Sequence, residues 1–87
     1  MVASVAEVKA AIDAALVHVQ DGQSAVRVAS DRLADAQQTL AVAVDGSGHD
    51  AVSAARAALT QSASELADAL SAMYHAVEQA QSYAAAL

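Results

Sequence analysis

Val5, Ile12, Val19, Val26, Leu33 and Leu40 stand seven residues apart without a break, and no other feature constrains the chain as strongly. Three residues beyond each lies Val8 or a small residue: Ala15, Gly22, Ala29, Ala36 and Ala43. A sustained seven-residue apolar repeat is the seam of packed helices, whereas a half-buried strand needs a period of two. The second half repeats the pattern with Val52, Leu59, Leu66 and Met73, accompanied by Ala55, Ser62, Ala69 and Ala76. Leu70 and Val77 widen that stripe toward the C-terminus. Large residues at one position and small ones at the other let a partner helix come close. The expected fold is all-α, an antiparallel two-helix hairpin that dimerises into a four-helix bundle.

Boundary chemistry divides this single domain, residues 1–87, into helix 1 at about 4–44, a turn at 45–50 and helix 2 at about 51–86. Ser4-Val5-Ala6-Glu7 fits a capping box, in which the Ser and Glu side chains satisfy free N–H groups of the first turn. In DGSGHD, Gly46 suits the left-handed conformation that ends a helix, and Ser47 or Asp50 suits the cap of the next. Helices of about 40 residues at 1.5 Å per residue are roughly 60 Å long. So short a connection makes them antiparallel neighbours. The stretch QDGQ, 20–23, is a rival breakpoint because Asp-Gly is a common turn pair, yet Val19 and Val26 keep the repeat across it. A continuous helix, locally bent at Gly22, is the expectation. Gln23, Ser30 and Gln37, each four residues beyond a large position, are either simply exposed or lie at a helix–helix boundary where they restrict which partner fits.

Composition bears on what such a hairpin can do. The apolar fraction is 56%, but roughly a third of the chain is Ala, which buries little area. A chain of 87 residues with side chains this small has a marginal core by itself, so association is expected. There is no Cys for a disulfide or a zinc site. The formal charge is −6, and the four basic residues, Lys9, Arg27, Arg32 and Arg56, are scattered. Phosphate backbones and anionic lipid surfaces require clustered cations, so neither nucleic acid nor a membrane surface is an expected partner. No apolar run approaches the roughly 18 residues of a membrane span, and the early acids argue against a secretory signal peptide. The lack of Asn, with Lys and Ile used once each, suggests a GC-rich bacterial genome.

Catalytic chemistry finds no foothold, and neither a cofactor nor a metal is expected. The serines sit on no strand-to-helix elbow, and no strand or Lys flanks the DGSG glycines as a phosphate loop requires. His18, His49 and His75 are far apart. His75 and Glu78 share a helical face, but carboxylate-bridged bundles use Glu-x-x-His with further inward acids, and here the order is reversed. The chain reads as a non-enzyme.

The aromatic residues, Tyr74 and Tyr83, both lie in SAMYHAVEQAQSY, 71–83. Leu70, Met73, Tyr74 and Val77 share one face, so one reading places Tyr74 at the edge of the seam with its hydroxyl outward. Tyr83 falls on the small side, where it is expected to cap the open end of the hairpin. A second reading comes from a resemblance. Long antiparallel helices, a Gly-containing turn near the middle and Tyr74-x-x-x-Glu78 resemble the WXG-like (Trp-x-Gly) hairpin family of type VII (ESX) secretion substrates, although the Trp of that family's turn is absent. The resemblance implies hairpins that pair as homodimers or heterodimers, with a related hairpin or an effector's N-terminal helical domain as partner. It implies further that Tyr74 and Glu78 form an export signal read by the secretion ATPase, with Gly46, Ser47 and Gly48 at the family's turn motif. The chain would then be made in the cytoplasm and exported without a signal peptide. The competing expectation is a cytoplasmic helical adaptor or oligomerisation module with no export role.

Overall fold

The computed structural model describes residues 3–87. It is an all-α hairpin: α1 spans Val5–Ala43, α2 spans Asp50–Ala86, and no strand is present among the described residues. The helices pack along each other into a rod of 64 × 20 × 15 Å. Its radius of gyration is 19.6 Å, against about 12 Å for a compact domain of this length.

The ends follow from local chemistry. Ser4 caps α1, its Oγ accepting from the Glu7 N–H at 3.1 Å, which is one half of the expected capping box. At the other end the Val44 N–H bonds the Leu40 carbonyl and the Ser47 N–H bonds the Val44 carbonyl. Gly46 turns the chain there with φ at +77°, a value that L side chains rarely adopt. The cap of α2 differs from the expectation. Asp50 lies inside the helix as its first-turn acid, and His49 is the cap, its Nδ1 accepting from the Ala51 N–H at 3.1 Å. Ser47 instead accepts from the His49 N–H at 3.4 Å and braces the cap from behind. Asp50 then sits where the positive end of the helix dipole favours an acid.

Gly22 neither ends nor interrupts α1. A Cβ built on it would meet Met73 Cε at 3.7 Å, ordinary contact, so α2 runs close by without pressing on the glycine. That neighbour fixes the antiparallel register, and the Gln37–Thr60 hydrogen bond agrees with it. In this register the first turn of α1 reaches past the last turn of α2. Val5, expected on the seam, is accordingly 51% exposed, with no helix opposite it.

Covered positions along α1 run Ile12, Leu16, Val19, Gln23, Val26, Ser30, Leu33, Gln37 and Leu40, with Val8 before them and Val44 just past the helix end. Gln23 is the most covered of these, at 5% exposed. In α2 they include Val52, Leu59, Ala63, Leu66, Leu70, Met73, Val77, Ala80 and Ala84. The steps alternate between four and three. The second seam position therefore lies four residues beyond each large one, not three as the sequence reading has it. Gln23, Ser30 and Gln37 occupy that boundary in α1. The small residues flank the seam: Gly22, Ala29, Ser62 and Ala69 are half-buried, while Ala15, Ala36, Ala43, Ala55 and Ala76 are exposed.

Candidate functional site

At 100° per residue, the two sides of the seam are decided by two neighbouring rows. Residues one place after a large seam position rotate to one face of the hairpin: Gln20, Arg27 and Ala34 on α1, with Thr60, Ala67 and Tyr74 on α2. Residues three places after rotate by a similar angle to the opposite face, and these are the small ones. In an antiparallel pair the matching rows of both helices come to the same face.

The first face is bridged. Arg27 donates through Nη2 to the Tyr74 hydroxyl, and its guanidinium carbon stands 5.6 Å from the centre of the Tyr74 ring. Stacking of this kind uses the planar, weakly hydrated guanidinium against the electron-rich ring face. Farther toward the turn, Gln37 Nε2 donates to Thr60 Oγ1 at 3.3 Å, and the Thr60 hydroxyl donates to the Arg56 carbonyl at 3.1 Å. Both cross-helix side-chain bonds of the described residues thus involve the row that follows the large seam positions. The opposite face carries no such bridge. Its Ser62 hydroxyl donates back to the Ala58 carbonyl at 3.0 Å, within its own helix.

Tyr74 is 44% exposed, at the rim of the seam with its hydroxyl occupied by Arg27. Glu78, one turn on, is exposed. Both lie inside α2, and roughly three helical turns follow Tyr74 before Ala86. Gly46, Ser47 and Gly48 are exposed at the turn, about 36 Å along α2 from Tyr74 at 1.5 Å per residue. Within one chain the structure does not bring the turn and the Tyr74–Glu78 segment together. Tyr83, expected to cap the open end, is instead 57% exposed.

The seam residues Val8, Ile12, Val19, Val26, Leu33, Leu40, Val52, Leu59, Leu66, Leu70, Met73 and Val77 all line the helix–helix contact and are all half-buried. Among the described residues no apolar side chain is fully buried. The accessible surface is 6155 Å², whereas a compact monomer of 8.7 kDa exposes about 4,700 Å². About 1,400 Å² of surface is therefore left over that a domain of this mass normally covers.

Other features offer less. A shallow depression of about 500 Å³ runs along α1, lined by Asp35, Gln38, Thr39, Val42 and Ala43. His18 and His75 are exposed on separate helices, and no three His, Asp or Glu side chains converge among the described residues. Neither described helix is long and apolar enough to cross a membrane.

Sequence reading did not find the Arg27–Tyr74 bridge, since the partners are 47 residues apart. The available signal was their shared place, each immediately after a large seam residue. No family model, no curated protein and no solved structure matches the chain.

Proposed function

We propose that this chain is a non-enzymatic protein-interaction module, a helical hairpin that completes its core by packing against another helical chain in a four-helix bundle. The observation that carries the reading is the absence of any fully buried apolar side chain among the described residues, despite a seam that runs nearly the whole hairpin. A two-layer domain is stabilised by enclosing such a stripe, and one hairpin encloses only half of it. The decisive measurement is thermal unfolding at protein concentrations spanning a factor of about 100. Association of folded chains raises the melting temperature with concentration. A strict monomer with a cooperative, concentration-independent melt would overturn the reading.

Two physiological settings fit such a module. Hairpin architecture and Tyr74-x-x-x-Glu78 support a substrate of type VII secretion, or a partner that escorts a secreted effector to the secretion ATPase. The bridging of Tyr74 by Arg27 in the middle of α2 favours the second setting, a cytoplasmic adaptor in which Tyr74 joins the helices. Export of the Tyr74→Ala chain separates them. Loss of export with intact helical circular dichroism supports the signal; loss of folding supports the adaptor.

A further inference from the structure

We propose that His49 is a pH-operated cap for α2, so that the turn end of the hairpin is held closed while the imidazole is neutral and loosens in mildly acidic surroundings. The device lies outside the seam and does not depend on what the hairpin packs against. Three observations carry it.

The first is the pattern of donors and acceptors. The Ala51 N–H donates to His49 Nδ1 at 3.1 Å, so Nδ1 holds a free lone pair and the ring is neutral with its proton on Nε2. The carbonyl of the same residue accepts from the Val52 N–H at 3.0 Å and from the Ser53 N–H at 3.2 Å. The N–H groups of Ala51, Val52 and Ser53 thus all end on His49. Protonation occupies the Nδ1 lone pair and sets a donor against the Ala51 donor. The ring must then turn away, and the Ala51 N–H is left to water. The second is the contrast with the other cap. α1 is capped by the Ser4 hydroxyl, which accepts from the Glu7 N–H at 3.1 Å and keeps its lone pairs on either side of neutral pH. Of the two helices, only α2 relies for its cap on a side chain of the type that changes charge between about pH 5 and 8.

The third is the charge around the ring. His49 is exposed, and the last two turns of α1, 36–43, carry no ionisable side chain. The turn contributes Asp45, α2 contributes Asp50, and the next charge along α2 is Arg56. The positive end of the α2 dipole disfavours an imidazolium at its cap, while the two aspartates favour one. Neither influence restores an acceptor to a protonated Nδ1. The folded turn uses the neutral ring, so the contribution of the cap is whole above the histidine range and is lost as the pH falls through it.

The test uses the full chain at one fixed concentration, since association also moves the melt. His49→Asn supplies a cap that does not titrate, and His49→Ala removes the side-chain cap at every pH. Between pH 8 and pH 5 the wild-type melting temperature should fall by roughly 4–8 °C relative to His49→Asn, passing from the level of the Asn variant to that of the Ala variant. Taking the difference removes the titration of the carboxylates and of His18 and His75, which all three chains share. NMR supplies a local readout. The His49 ring should be the Nε2–H tautomer at pH 8, and the Ala51 amide proton should shift in step with the titration of that ring. A wild-type curve that stays parallel to that of His49→Asn from pH 8 to pH 5 overturns the proposal. So does an Ala51 amide that stays still while the His49 ring titrates. Either failure leaves the interaction-module reading standing, because that reading rests on the seam.

Discussion

The two faces of this hairpin share one seam and differ in a single row of residues on each helix. One place beyond the large seam residues stand Arg27, Thr60 and Tyr74, and there the helices are tied to each other. Three places beyond, from Ala15 to Ala43 and from Ala55 to Ala76, stand only Ala, Gly22 and Ser62, and there the seam is flanked by short side chains. The bridged face makes the hairpin's own register specific. The bare face carries no side-chain bond between the helices among the described residues. Whether a long amphipathic hairpin seals itself or recruits a partner is thus decided beside the seam, by side-chain length, more than by the seam's own hydrophobicity.

The seam serves both faces, so its disruption should produce the largest effect. Leu66 is half-buried at mid-length of α2, and Leu66→Asp places a carboxylate in the helix–helix contact. A cost of about 3 kcal/mol or more is expected for such a change. Circular dichroism should show most of the helix lost at 25 °C. Ala67→Asp, one residue on and exposed, should leave the spectrum unchanged. Equal effects at both positions would mean that the seam does not run through Leu66.

Next in size is Gln23, the most covered of the described residues at 5% exposed. None of its amide atoms is stranded without solvent or a partner, so the residue costs little as it stands, but it contributes less than an apolar side chain would. Gln23→Leu should stabilise the hairpin by about 1–2 kcal/mol. For a domain of this size that is a rise in melting temperature of roughly 4–8 °C per kcal/mol. Gln23 belongs to the seam and not to the small row, so the rise should appear at every protein concentration. A fall would show that the amide fixes the register.

How far the sequence discloses these features depends on whether they are local. The seven-residue repeat, Ser4 as cap and Gly46 as the left-handed turn residue all follow from spacing and backbone sterics within a few residues. The second seam position does not. A heptad allows a step of three or of four, and hydrophobicity normally chooses between them. Here Ala at three outscores Gln and Ser at four, although the packed position is the one four residues on. Residue type alone favours Ser47 or Asp50 over His49 as the cap, and only the turn's closed geometry gives the imidazole nitrogen the place. Arg27 and Tyr74 meet through the antiparallel register, which depends on the length of the connection and not on anything near either residue. The exposure of Tyr83 is hidden from the sequence for the same reason as the seam step: its row of small residues scores as interior.

A smaller change probes the bare face alone. Gly22→Ala adds a methyl group at ordinary distance from Met73 and raises helix propensity, so the isolated hairpin should gain about 0.5–1 kcal/mol. The same methyl group stands beside the face flanked by small residues. Melting temperature at the lowest usable concentration should rise while the dimerisation constant, measured by sedimentation, weakens or stays level. A gain in both would show that the face tolerates bulk and that close approach of helices is not its purpose.

The smallest expected effect belongs to the bridged face, and it separates two contributions that the structure superimposes. Arg27 both stacks on the Tyr74 ring and donates to its hydroxyl, and the two groups are exposed. Solvent competes for the hydrogen bond and salt screens the charge, so Arg27→Ala should cost only about 0.5–1 kcal/mol. Tyr74→Phe keeps the ring and removes the hydroxyl. If stacking dominates, Tyr74→Phe is nearly silent and the Arg27→Ala penalty persists in the Phe background. If the hydrogen bond dominates, Tyr74→Phe reproduces the whole penalty and the second change adds nothing. A double-mutant cycle on thermal unfolding measures the coupling directly, provided each single change leaves the helical spectrum intact. Either result leaves association unaltered if the partner binds on the other side. Loss of dimer in Arg27→Ala at unchanged hairpin stability would mean that the bridge is itself part of the interface, and the contrast between the two faces would have to be redrawn with Arg27 and Tyr74 as the contact and the small row as solvent-exposed surface.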